Sequence, residues 1–306
     1  MKLNYKIILH LLTGATGFLG QILLQTLGTN TLTIGRSSNN QQIIDLAITV
    51  PDLPPVDRVV HNAGKAHMIP KSSKEEQAFF DVNVRGTENL LLALKPHPPK
   101  QFVFISSVAV YGVDQGESID EGCPLHGKTP YAQSKIQAEA LVQDFCAKYG
   151  IAYLILRLPL IVGPNPPGNL GAISKMIQSG HYIRIRNNHA QKSMVLGEDV
   201  AQFIQQWNGP SGIYNLTDGV HPRFSDLEQA LARLHHQKLK WTLPQWPIQL
   251  AASFGSGLRK LGLPFPLTTD RLQKMTATLT FSDTKARQEL GWRPRPVLSH
   301  LHELLR

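Results

Sequence analysis

Short apolar runs alternate with amphipathic stretches along the first half of the chain. The runs are bounded by Gly, Pro, Ser or Asn and lie at residues 7–12, 32–34, 58–61, 102–106 and 152–156. Continuous apolar runs of this length are typical of strands buried on both faces of a sheet. The stretches between them predict helices at residues 18–27, 79–94 and 131–149. Strands that alternate with helices predict an α/β fold with a Rossmann-type, doubly wound parallel sheet.

The pattern becomes less regular after residue 160. Residues 163–168 are rich in Gly and Pro, which predicts a loop. Two further apolar runs, at 194–196 and 213–216, predict a return to the sheet, and a helix is expected around residues 283–290. We therefore expect a Rossmann domain over residues 1–163, with its sheet completed by about residues 190–220. A smaller, discontinuous C-terminal substrate lobe is expected over residues 164–189 and 221–306.

The composition excludes the disordered and fibrous classes. The 306 residues are 42% hydrophobic and 17% charged, which is typical of an ordinary globular protein. The apolar run at residues 7–12 is too short for a signal-peptide core or a membrane span. Cys123 and Cys146 form neither a disulfide framework nor a four-thiolate zinc site, so a cytoplasmic location is expected.

The charge balance favours an anionic partner. The chain has 31 Lys and Arg against 22 Asp and Glu, a net charge of +9. Such an excess suits nucleic acid, an acidic membrane surface or a phosphorylated small molecule. The sequence has no run of five or six basic residues and no interleaving of arginines with aromatic residues. The phosphorylated small molecule is therefore favoured, with no nucleic-acid partner and no membrane insertion expected.

A glycine-rich segment at residues 13–20 follows the first predicted strand and opens the first predicted helix. Glycines spaced three residues apart let the backbone turn tightly, approach a pyrophosphate and pack the helix on the strand. The free N–H groups at the start of the helix then face the anion. We expect this segment to bind a dinucleotide through Gly14, Thr16, Gly17, Phe18, Leu19 and Gly20. The alternative is a tight strand-to-helix turn without a ligand.

The residues after the second predicted strand distinguish NAD from NADP. An acidic side chain there binds the ribose hydroxyls of NAD. This chain instead has Arg36 and Ser37 and no carboxylate. A guanidinium holds a phosphate through two parallel hydrogen bonds, so NADP is favoured over NAD. The alternative is that Arg36 is a solvated turn residue and that NAD binds through other contacts.

Two later segments fit the same crevice. Asp45 and Leu46 follow an apolar pair, and the Asp45 carboxylate is suited to bind the adenine amino group. Asn62, Ala63 and Gly64 follow the strand predicted at residues 58–61, where a cofactor would pass. Asp45 could equally cap a helix, and Asn62 could form a turn.

Ser107, Tyr131 and Lys135 are the candidate catalytic residues. Tyr131 follows Pro130 at a predicted helix start, and Lys135 lies four positions on, so both side chains share one helical face. An ammonium about 4 Å from the phenol is expected to lower its pKa by about three units before desolvation subtracts part of that shift, which would let Tyr131 exchange a proton with a substrate. Ser107, at the end of a strand, would hydrogen-bond the reacting oxygen. Taken alone, the Tyr-x-x-x-Lys pair could be a surface contact, but its order after the glycine loop and the Ser-Ser strand end favours catalysis.

These motifs together resemble the extended short-chain dehydrogenases/reductases. The resemblance is strongest to the NAD-dependent epimerase/dehydratase family, with its nucleotide-sugar epimerases and 4-keto reductases of the UDP-glucose 4-epimerase type. The matching segments span nearly the whole chain, at residues 13–20, 45–46, 83–87, 106–112, 131–135, 157–159, 163–164, 198–201 and 289–292. The resemblance implies a Ser107–Tyr131–Lys135 triad, cofactor contacts that include Ser106, Tyr131, Lys135 and Pro159, a homodimer, and a role in polysaccharide biosynthesis.

Departures from the family pattern narrow the implied activity. Members that dehydrate sugars have Thr-Asp-Glu where this chain has Ser107, Val108 and Ala109, so dehydration is not expected. The implied reaction is hydride transfer at a carbon of a nucleotide-activated sugar, at C4, in 4-keto reduction or 4-epimerisation.

The resemblance also suggests which residues hold the substrate. Lys192 stands where the family often has a diphosphate-binding arginine, and it keeps the charge but loses the bidentate geometry. Asn169 and Arg271 are further candidates for the diphosphate. Their alternatives are a turn-forming Asn and a surface charge.

Other residues are not expected to have a functional role. The histidines lack zinc-ligand spacing, so no metal is expected. Trp241, Trp246 and Phe254 are expected to pack inside the second lobe.

Two rival hypotheses remain: a catalytically silent NADP-binding regulatory protein of the same fold, and a nucleic-acid or membrane-surface binder that uses the +9 charge. The enzyme hypothesis predicts no binding to nucleic acid or to a membrane surface near physiological salt.

Overall fold

A computed structural model describes residues 8–66, 68–260 and 268–305, with the side chains of residues 259, 260, 270, 271 and 303–305 excepted. Its strands, in chain order, are β1 (His10–Thr13), β2 (Thr31–Gly35), β3 (Gln42–Ile43), β4 (Arg58–His61), β5 (Gln101–Ser107), β6 (Gly116–Ile119), β7 (Ala152–Leu158), β8 (Leu160–Val162), β9 (Ile183–Ile185), β10 (Met194–Leu196), β11 (Gly212–Asn215), β12 (Trp241–Leu243) and β13 (Leu279–Phe281).

The α-helices alternate with these strands. In chain order they are α1 (Phe18–Leu27), α2 (Ser73–Phe80), α3 (Gly86–Leu94), α4 (Pro130–Tyr149), α5 (Gly168–Gln178), α6 (Gly197–Gln206), α7 (Phe224–Leu234), α8 (Gln245–Lys260), α9 (Thr269–Thr276) and α10 (Thr284–Leu290). A π-helical segment, Asp81–Arg85, joins α2 to α3, and 3-10 turns lie at Val108–Tyr111 and Val297–Leu305.

A seven-stranded parallel sheet forms the centre of the fold. Its strand order is β11-β7-β5-β4-β1-β2-β3. The chain moves outward in one direction from β1 to β3 and in the other from β4 to β11, so the order reverses between β1 and β4. A reversal of this kind opens a crevice at the carboxyl ends of the two strands, where ligands bind in doubly wound sheets. The predicted α/β fold class is confirmed.

Both faces of the sheet are covered by helices. On one face, α1 and α6 pack on alternate strand residues such as Leu12 and Val60. On the other face, α3 and α4 pack on residues such as Leu11 and Val59. This two-sided burial explains why the strands are continuous apolar runs in the sequence.

A third core forms beside the sheet. It joins β8 and β10 to α5, α7 and the C-terminal turn through residues such as Val162, Leu196, Leu227 and Val297. The expectation that residues 194–196 return to the main sheet is wrong, since β10 pairs with β8 in a separate two-stranded sheet. Only β11, within the second predicted run, joins the central sheet. The domain boundaries at residues 163, 189 and 221 stay a prediction.

The helix predicted at residues 79–94 is interrupted and starts earlier. It begins at α2, where Ser72 Oγ accepts a hydrogen bond from the Glu75 N–H at 3.3 Å. The first turns are charged and bury only Phe79, so no apolar period marks them in the sequence. The predicted helices at residues 18–27, 131–149 and 283–290 agree with α1, α4 and α10 to within one residue. Ile7, in the first predicted strand, lies outside the described residues.

Candidate active site

The loop between β1 and α1 requires glycine at two positions. Gly14 has φ +69°, and a Cβ there would lie 2.7 Å from Ala63 Cα. A Cβ on Gly20 would overlap the carbonyl oxygen of Gly14. Gly17 begins α1 without a side-chain cap, and the first turn of α1 holds no acidic residue. The exposed N–H groups at this helix start therefore suit a pyrophosphate.

The carboxyl ends of β1 and β4 are held together beside this loop. Asn62 Nδ2 donates to the Gly14 carbonyl at 3.1 Å. Thr13 Oγ1 accepts from the Ala63 N–H at 3.0 Å and lies 2.7 Å from His61 Nδ1. The crevice at the strand-order reversal thus has fixed walls, and these walls fit an NAD(P) dinucleotide.

Ser107, Tyr131 and Lys135 come together at the carboxyl end of β5. Ser107 ends that strand, and its side chain hydrogen-bonds the Tyr131 side chain. Thr129 caps α4 through its Oγ1, which accepts from the Ala132 N–H at 3.2 Å, so Tyr131 lies in the first turn. One turn later the buried Lys135 donates from Nζ to the Ile105 carbonyl at 2.8 Å.

Burial shifts the pKa values of both Tyr131 and Lys135, and the shift of Tyr131 differs from the expectation. Burial raises the pKa of Tyr131, and the hydrogen bond with Ser107 opposes that rise. Burial lowers the pKa of Lys135 to about 8, although the nearby Glu139 carboxylate raises it. The expected net lowering of the Tyr131 pKa is therefore wrong for this state of the protein, because desolvation of the phenol is the largest effect on that pKa.

Asn83 in the π-helical segment supports the same site and was missed as a functional candidate. Its Oδ1 accepts from the Lys65 N–H at 2.7 Å, and its Nδ2 donates to Ser134 Oγ at 2.8 Å. A Cβ on Gly64 would lie 3.2 Å from both Asn83 Oδ1 and Lys135 Nζ. The fixed loop at Gly64 therefore passes directly over the lysine. The π-helical turn directs the Asn83 side chain inward. The spacing of apolar residues in the sequence does not predict such a turn.

A buried ion pair lies behind the catalytic lysine. Glu139 and Arg157 are at most 3% exposed, and Arg157 Nη2 lies 2.7 Å from Glu139 Oε2. Arg157 Nε also donates to Glu139 Oε1 at 3.1 Å, and Ser106 Oγ hydrogen-bonds the same oxygen. Arg157 Nη1 reaches the Tyr111 hydroxyl at 3.2 Å. Both charged residues were overlooked as site residues, because pairs distant in sequence are not visible without the fold.

A cavity of about 590 Å³ opens next to Ser107. It lies between the end of β5 and the third core, with walls from α5, α7 and α9. Predicted site residues that line it are Ser107, Pro159, Asn169 and Lys192. Its volume is in the range of small-molecule sites.

Lys192 is one of three lysines that line this cavity, with Lys128 and Lys274. Its Nζ donates to the Ala277 carbonyl at 2.6 Å. Burial lowers the pKa of Lys192 to about 8, and the negative charge of Asp114, which also lines the cavity, opposes that shift. A partly buried ammonium is suited to bind an anionic group.

Comparison with known proteins agrees with this geometry. Residues 10–206 match the model of the NAD dependent epimerase/dehydratase family. The chain belongs to this family. It is 30% identical over 255 residues to a UDP-glucose 4-epimerase of Streptococcus mutans, a match that covers 79% of this chain and 72% of that protein. It is 26% identical over 291 residues to the N-acetyl-alpha-D-glucosaminyl-diphospho-ditrans,octacis-undecaprenol 4-epimerase of Escherichia coli O157:H7, covering 90% and 87%.

Solved structures show the same fold. The UDP-glucose 4-epimerase of Thermotoga maritima, solved with UDP-glucose, has a TM-score of 0.75 at 19% identity, with 97% of each chain covered. RMD from Pseudomonas aeruginosa, complexed with NADPH, has a TM-score of 0.73 at 21% identity, with 97% of this chain and 98% of that chain covered. The predicted family, the fold and the enzyme class of extended short-chain type are confirmed. The predicted nucleotide-sugar substrate agrees with the name of the Streptococcus mutans relative, a UDP-glucose 4-epimerase.

The predicted cofactor residues fall into two groups. Residues at the crevice surface are Thr16, Gly17, Arg36, Ser37 and Gly64, and all but Ser37 are exposed. Leu19 and Leu46 have side chains in the two cores, and Ser106 is held by Glu139, so these three can reach a cofactor only through the backbone. Asp45 Oδ1 accepts from the Ala47 N–H at 3.0 Å within a turn. Among the described residues no helix begins there, so the alternative of Asp45 as a helix cap is wrong.

Several expectations outside the site are also decided. Trp241, Trp246 and Phe254 do not pack inside the second lobe, since each is more than 60% exposed. Helix α8 instead packs through Ile248 and Ala252. The side chain of Arg271 lies outside the described residues. Within the described part of the chain, every helix is too short or too polar to cross a bilayer.

Proposed function

We propose that the protein catalyses reversible hydride transfer at C4 of a nucleotide-activated sugar, in 4-epimerisation or in the 4-keto reduction that shares its half-reaction. The observation that carries the proposal is the meeting of Ser107, Tyr131 and Lys135 at the junction of the crevice and the cavity. The glycine loop fits a dinucleotide on one side, and Lys192 offers a cation on the other. When bound, NAD(P) supplies the carbon that accepts or returns H⁻.

The chain's own residues then handle the proton. Tyr131 keeps its proton at neutral pH because burial raises the pKa of its phenol, which suits donation to a carbonyl oxygen during reduction. Ser107 Oγ, beside the phenol, donates a hydrogen bond to the same carbonyl oxygen and orients it. Lys135, fixed by the Ile105 carbonyl, holds a positive charge beside the site below a pH of about 8.

We propose a UDP-hexose as the first substrate to test. The Streptococcus mutans relative is named for UDP-glucose and shares 30% identity over most of its length. A polyprenol-linked sugar diphosphate is the second candidate, because the Escherichia coli relative named for such a compound matches 90% of this chain. Both substrates present a diphosphate, for which Lys192 and Asn169 are the proposed contacts in the cavity.

NADP is the proposed cofactor in preference to NAD. Arg36 is exposed directly after β2, and residues 35–39 contain no carboxylate that would bind the ribose hydroxyls of NAD. A homodimer, a cytoplasmic location and a role in polysaccharide biosynthesis complete the proposal, together with the division into lobes at residues 163, 189 and 221. Light scattering on the purified chain tests the dimer.

The central experiment measures C4 inversion by NMR with UDP-glucose, UDP-galactose and UDP-N-acetylglucosamine, each with NADP or NAD. We expect the Tyr131→Phe variant to lose activity by at least about a thousandfold while its thermal shift with cofactor stays unchanged. Tyr149→Phe, at the far end of α4, is the matched control and should retain activity. A Tyr131→Phe variant as active as the wild type would refute the proposal. In a parallel assay with a UDP-4-keto sugar and NADPH, stoichiometric NADPH consumption would identify the reductase, whereas C4 inversion of the UDP-hexoses without net cofactor consumption would identify the epimerase.

A further inference from the structure

Helix α8 has a second apolar side that faces away from the protein. Its buried side consists of Ile248 and Ala252, which pack with Ile185 and Leu272. Trp246 and Leu250 are each 64% exposed. At 3.6 residues per turn these two side chains point about 160° away from the buried pair. A helix with apolar residues on two opposite sides packs one side on its own protein and can pack the other on a separate surface.

Exposed apolar side chains also lie on the neighbouring strands β9 and β12. Trp241 of β12 pairs in register with Ile183 of β9, and both side chains are exposed. Leu243 ends β12 and is also exposed, and α8 begins two residues later. Exposed apolar residues are ordinary when single, but a group of this size marks an interaction site. The outer patch is defined as Ile183, Trp241, Leu243, Trp246 and Leu250.

The surroundings of the outer patch are basic. Residues 229–269 contain no Asp or Glu, and Lys238 and Lys240 in this stretch are exposed. Residues 145–197, which include β9, contain no acidic residue either, and Arg186 there is exposed. The acidic residue that precedes the first stretch, Glu228, is buried and paired with Arg184. The patch therefore lies in a positively charged part of the lobe, which complements an anionic surface.

We propose that the outer patch docks the protein on the surface of an anionic lipid bilayer. Tryptophan rings with an apolar body and a polar N–H are suited to the headgroup region, and flanking lysines are attracted to anionic lipids. The aliphatic members of the patch, Ile183, Leu243 and Leu250, favour acyl chains over nucleic-acid bases, which stack on aromatic rings. A second copy of the chain is disfavoured, because two basic faces repel each other.

The outer patch lies on the far side of one wall of the cavity. Met275 of α9 lines the cavity and packs against the core beneath α8. Helix α9 therefore separates the cavity from α8, and α8 presents the patch outward. Docking through this surface is compatible with the proposed hydride transfer and does not depend on it. Membrane-surface binding and enzyme activity, rivals on sequence grounds, are therefore compatible in this geometry.

Vesicle flotation of the full chain tests the proposal. The vesicles are phosphatidylcholine alone, or phosphatidylcholine with about a third phosphatidylglycerol, at physiological and at high salt. We expect binding to the anionic vesicles at physiological salt, weak binding to the neutral ones, and release at high salt. Tryptophan emission should shift to the blue on binding, and this signal reports Trp241 and Trp246, because Trp207 and Trp292 are already buried.

Matched variants separate the patch from the general charge. Trp246→Ser with Leu250→Ser should weaken vesicle binding at least about tenfold, whereas Ile43→Ser with Ile48→Ser, equally exposed but on another surface, should not. Lys238→Glu with Lys240→Glu should weaken binding by about fivefold or more per residue, and Lys71→Glu with Lys74→Glu much less. All variants should keep the melting temperature and the activity of the wild type.

Three results would overturn the proposal. The first is that the wild-type chain fails to float with anionic vesicles, and the second is that the Trp246→Ser, Leu250→Ser variant floats as well as the wild type. The third is a change in oligomeric state or in RNA binding, in place of vesicle binding, when the patch is substituted. That result would assign the patch to a second copy of the chain or to nucleic acid.

Discussion

Glu139 lies one helical turn beyond Lys135 on α4 and forms a buried ion pair with Arg157, at 2.7 Å. The carboxylate also holds the hydroxyl of Ser106, the residue before Ser107. One ion pair thus fixes the strand end that carries Ser107 and places a negative charge near Lys135, where it raises the lysine pKa. Glu139 is a positioning residue, because its contacts are to the residues that form the site.

Removal of that charge should change the pH dependence of the reaction. In a Glu139→Gln variant the pKa of Lys135 falls below its present value of about 8, because burial then acts without an opposing carboxylate. The alkaline limb of kcat therefore moves to lower pH. Breaking a buried ion pair should also lower the free energy of unfolding by about 3–5 kcal/mol. The measurements are a pH–rate profile and denaturant unfolding.

Two further variants make the Glu139 prediction decisive. Asp144→Asn, an exposed substitution on the same helix, should leave the alkaline limb where it is. A Glu139→Met, Arg157→Met double variant should be more stable than Glu139→Gln alone, because no unpaired charge stays buried. An alkaline limb that does not move in Glu139→Gln would show that the carboxylate does not act on Lys135.

The glycine loop should tolerate no side chain at Gly20. In Gly20→Ala the new methyl group overlaps the Gly14 carbonyl, so the loop must shift away from its present geometry. We expect the dissociation constant for NADP to rise at least about tenfold and stability to fall by about 1–3 kcal/mol. Gly257→Ala on α8 has open space around the added Cβ and should bind cofactor normally. Equal cofactor affinity of the two variants, by calorimetry, would contradict the assignment of this loop.

The parts of the fold that sequence could predict are those with a repeated local signal. Strands such as β4 and β7 are apolar runs because both faces of the sheet are covered, and the loop at Gly14 needs glycine for its positive φ. Tyr131 and Lys135 share a helix, so their placement follows from spacing. The pairing of β10 with β8 could not be predicted in this way, because an apolar run does not indicate which strand it pairs with.

Long-range and surface features could not be predicted in the same way. The pairing of Glu139 with Arg157 joins a helix to a strand, and only the fold brings them together. Tryptophan is a large hydrophobic residue, so the sequence alone predicts that Trp246 is buried. Its exposure becomes evident only because Ile248 and Ala252 occupy the inner side of α8.

Arg36 should determine the preference for NADP. If its guanidinium holds the 2′-phosphate, Arg36→Ala should raise the dissociation constant for NADPH by about 10- to 100-fold, the effect of losing charge-assisted hydrogen bonds. The affinity for NADH should change little, because NADH lacks that phosphate. Arg293→Ala, an exposed substitution elsewhere, controls for the lost net charge. A wild-type preference for NADH in fluorescence titration would refute the role of Arg36.

Lys192 should make substrate binding sensitive to alkaline pH. Its pKa is lowered to about 8, so its positive charge is lost as pH rises through that value. The KM for a UDP-sugar should therefore rise above a pH of about 8, and Lys192→Met should show a high KM at every pH. Lys192→Arg retains its charge and should remove the alkaline rise. If the wild-type KM is constant from about pH 7 to 9, the Lys192 ammonium does not bind the diphosphate.

His61 should make the fold sensitive to acid. Its ring lies between Thr13 Oγ1 at 2.7 Å and Thr87 Oγ1 at 2.9 Å. Burial, with help from the positive charge of Lys135, lowers the pKa of His61 from 6.5 to about 3. Burial likewise lowers the pKa of His10 to about 4.

The direction of the acid effect follows from proton uptake. Below about pH 6.5 the unfolded chain binds protons at these histidines while the folded chain does not, so stability falls as pH drops from about 6.5 toward the folded-state pKa values. At about pH 5 each of these two histidines should lower the free energy of unfolding by about 2 kcal/mol relative to its value at neutral pH. A His61→Asn variant should therefore lose about 2 kcal/mol less stability than the wild type between these pH values, whatever its stability at neutral pH. The exposed His97→Asn variant should keep the wild-type slope of unfolding free energy against pH, and the same slope in His61→Asn would show that His61 is protonated in the fold.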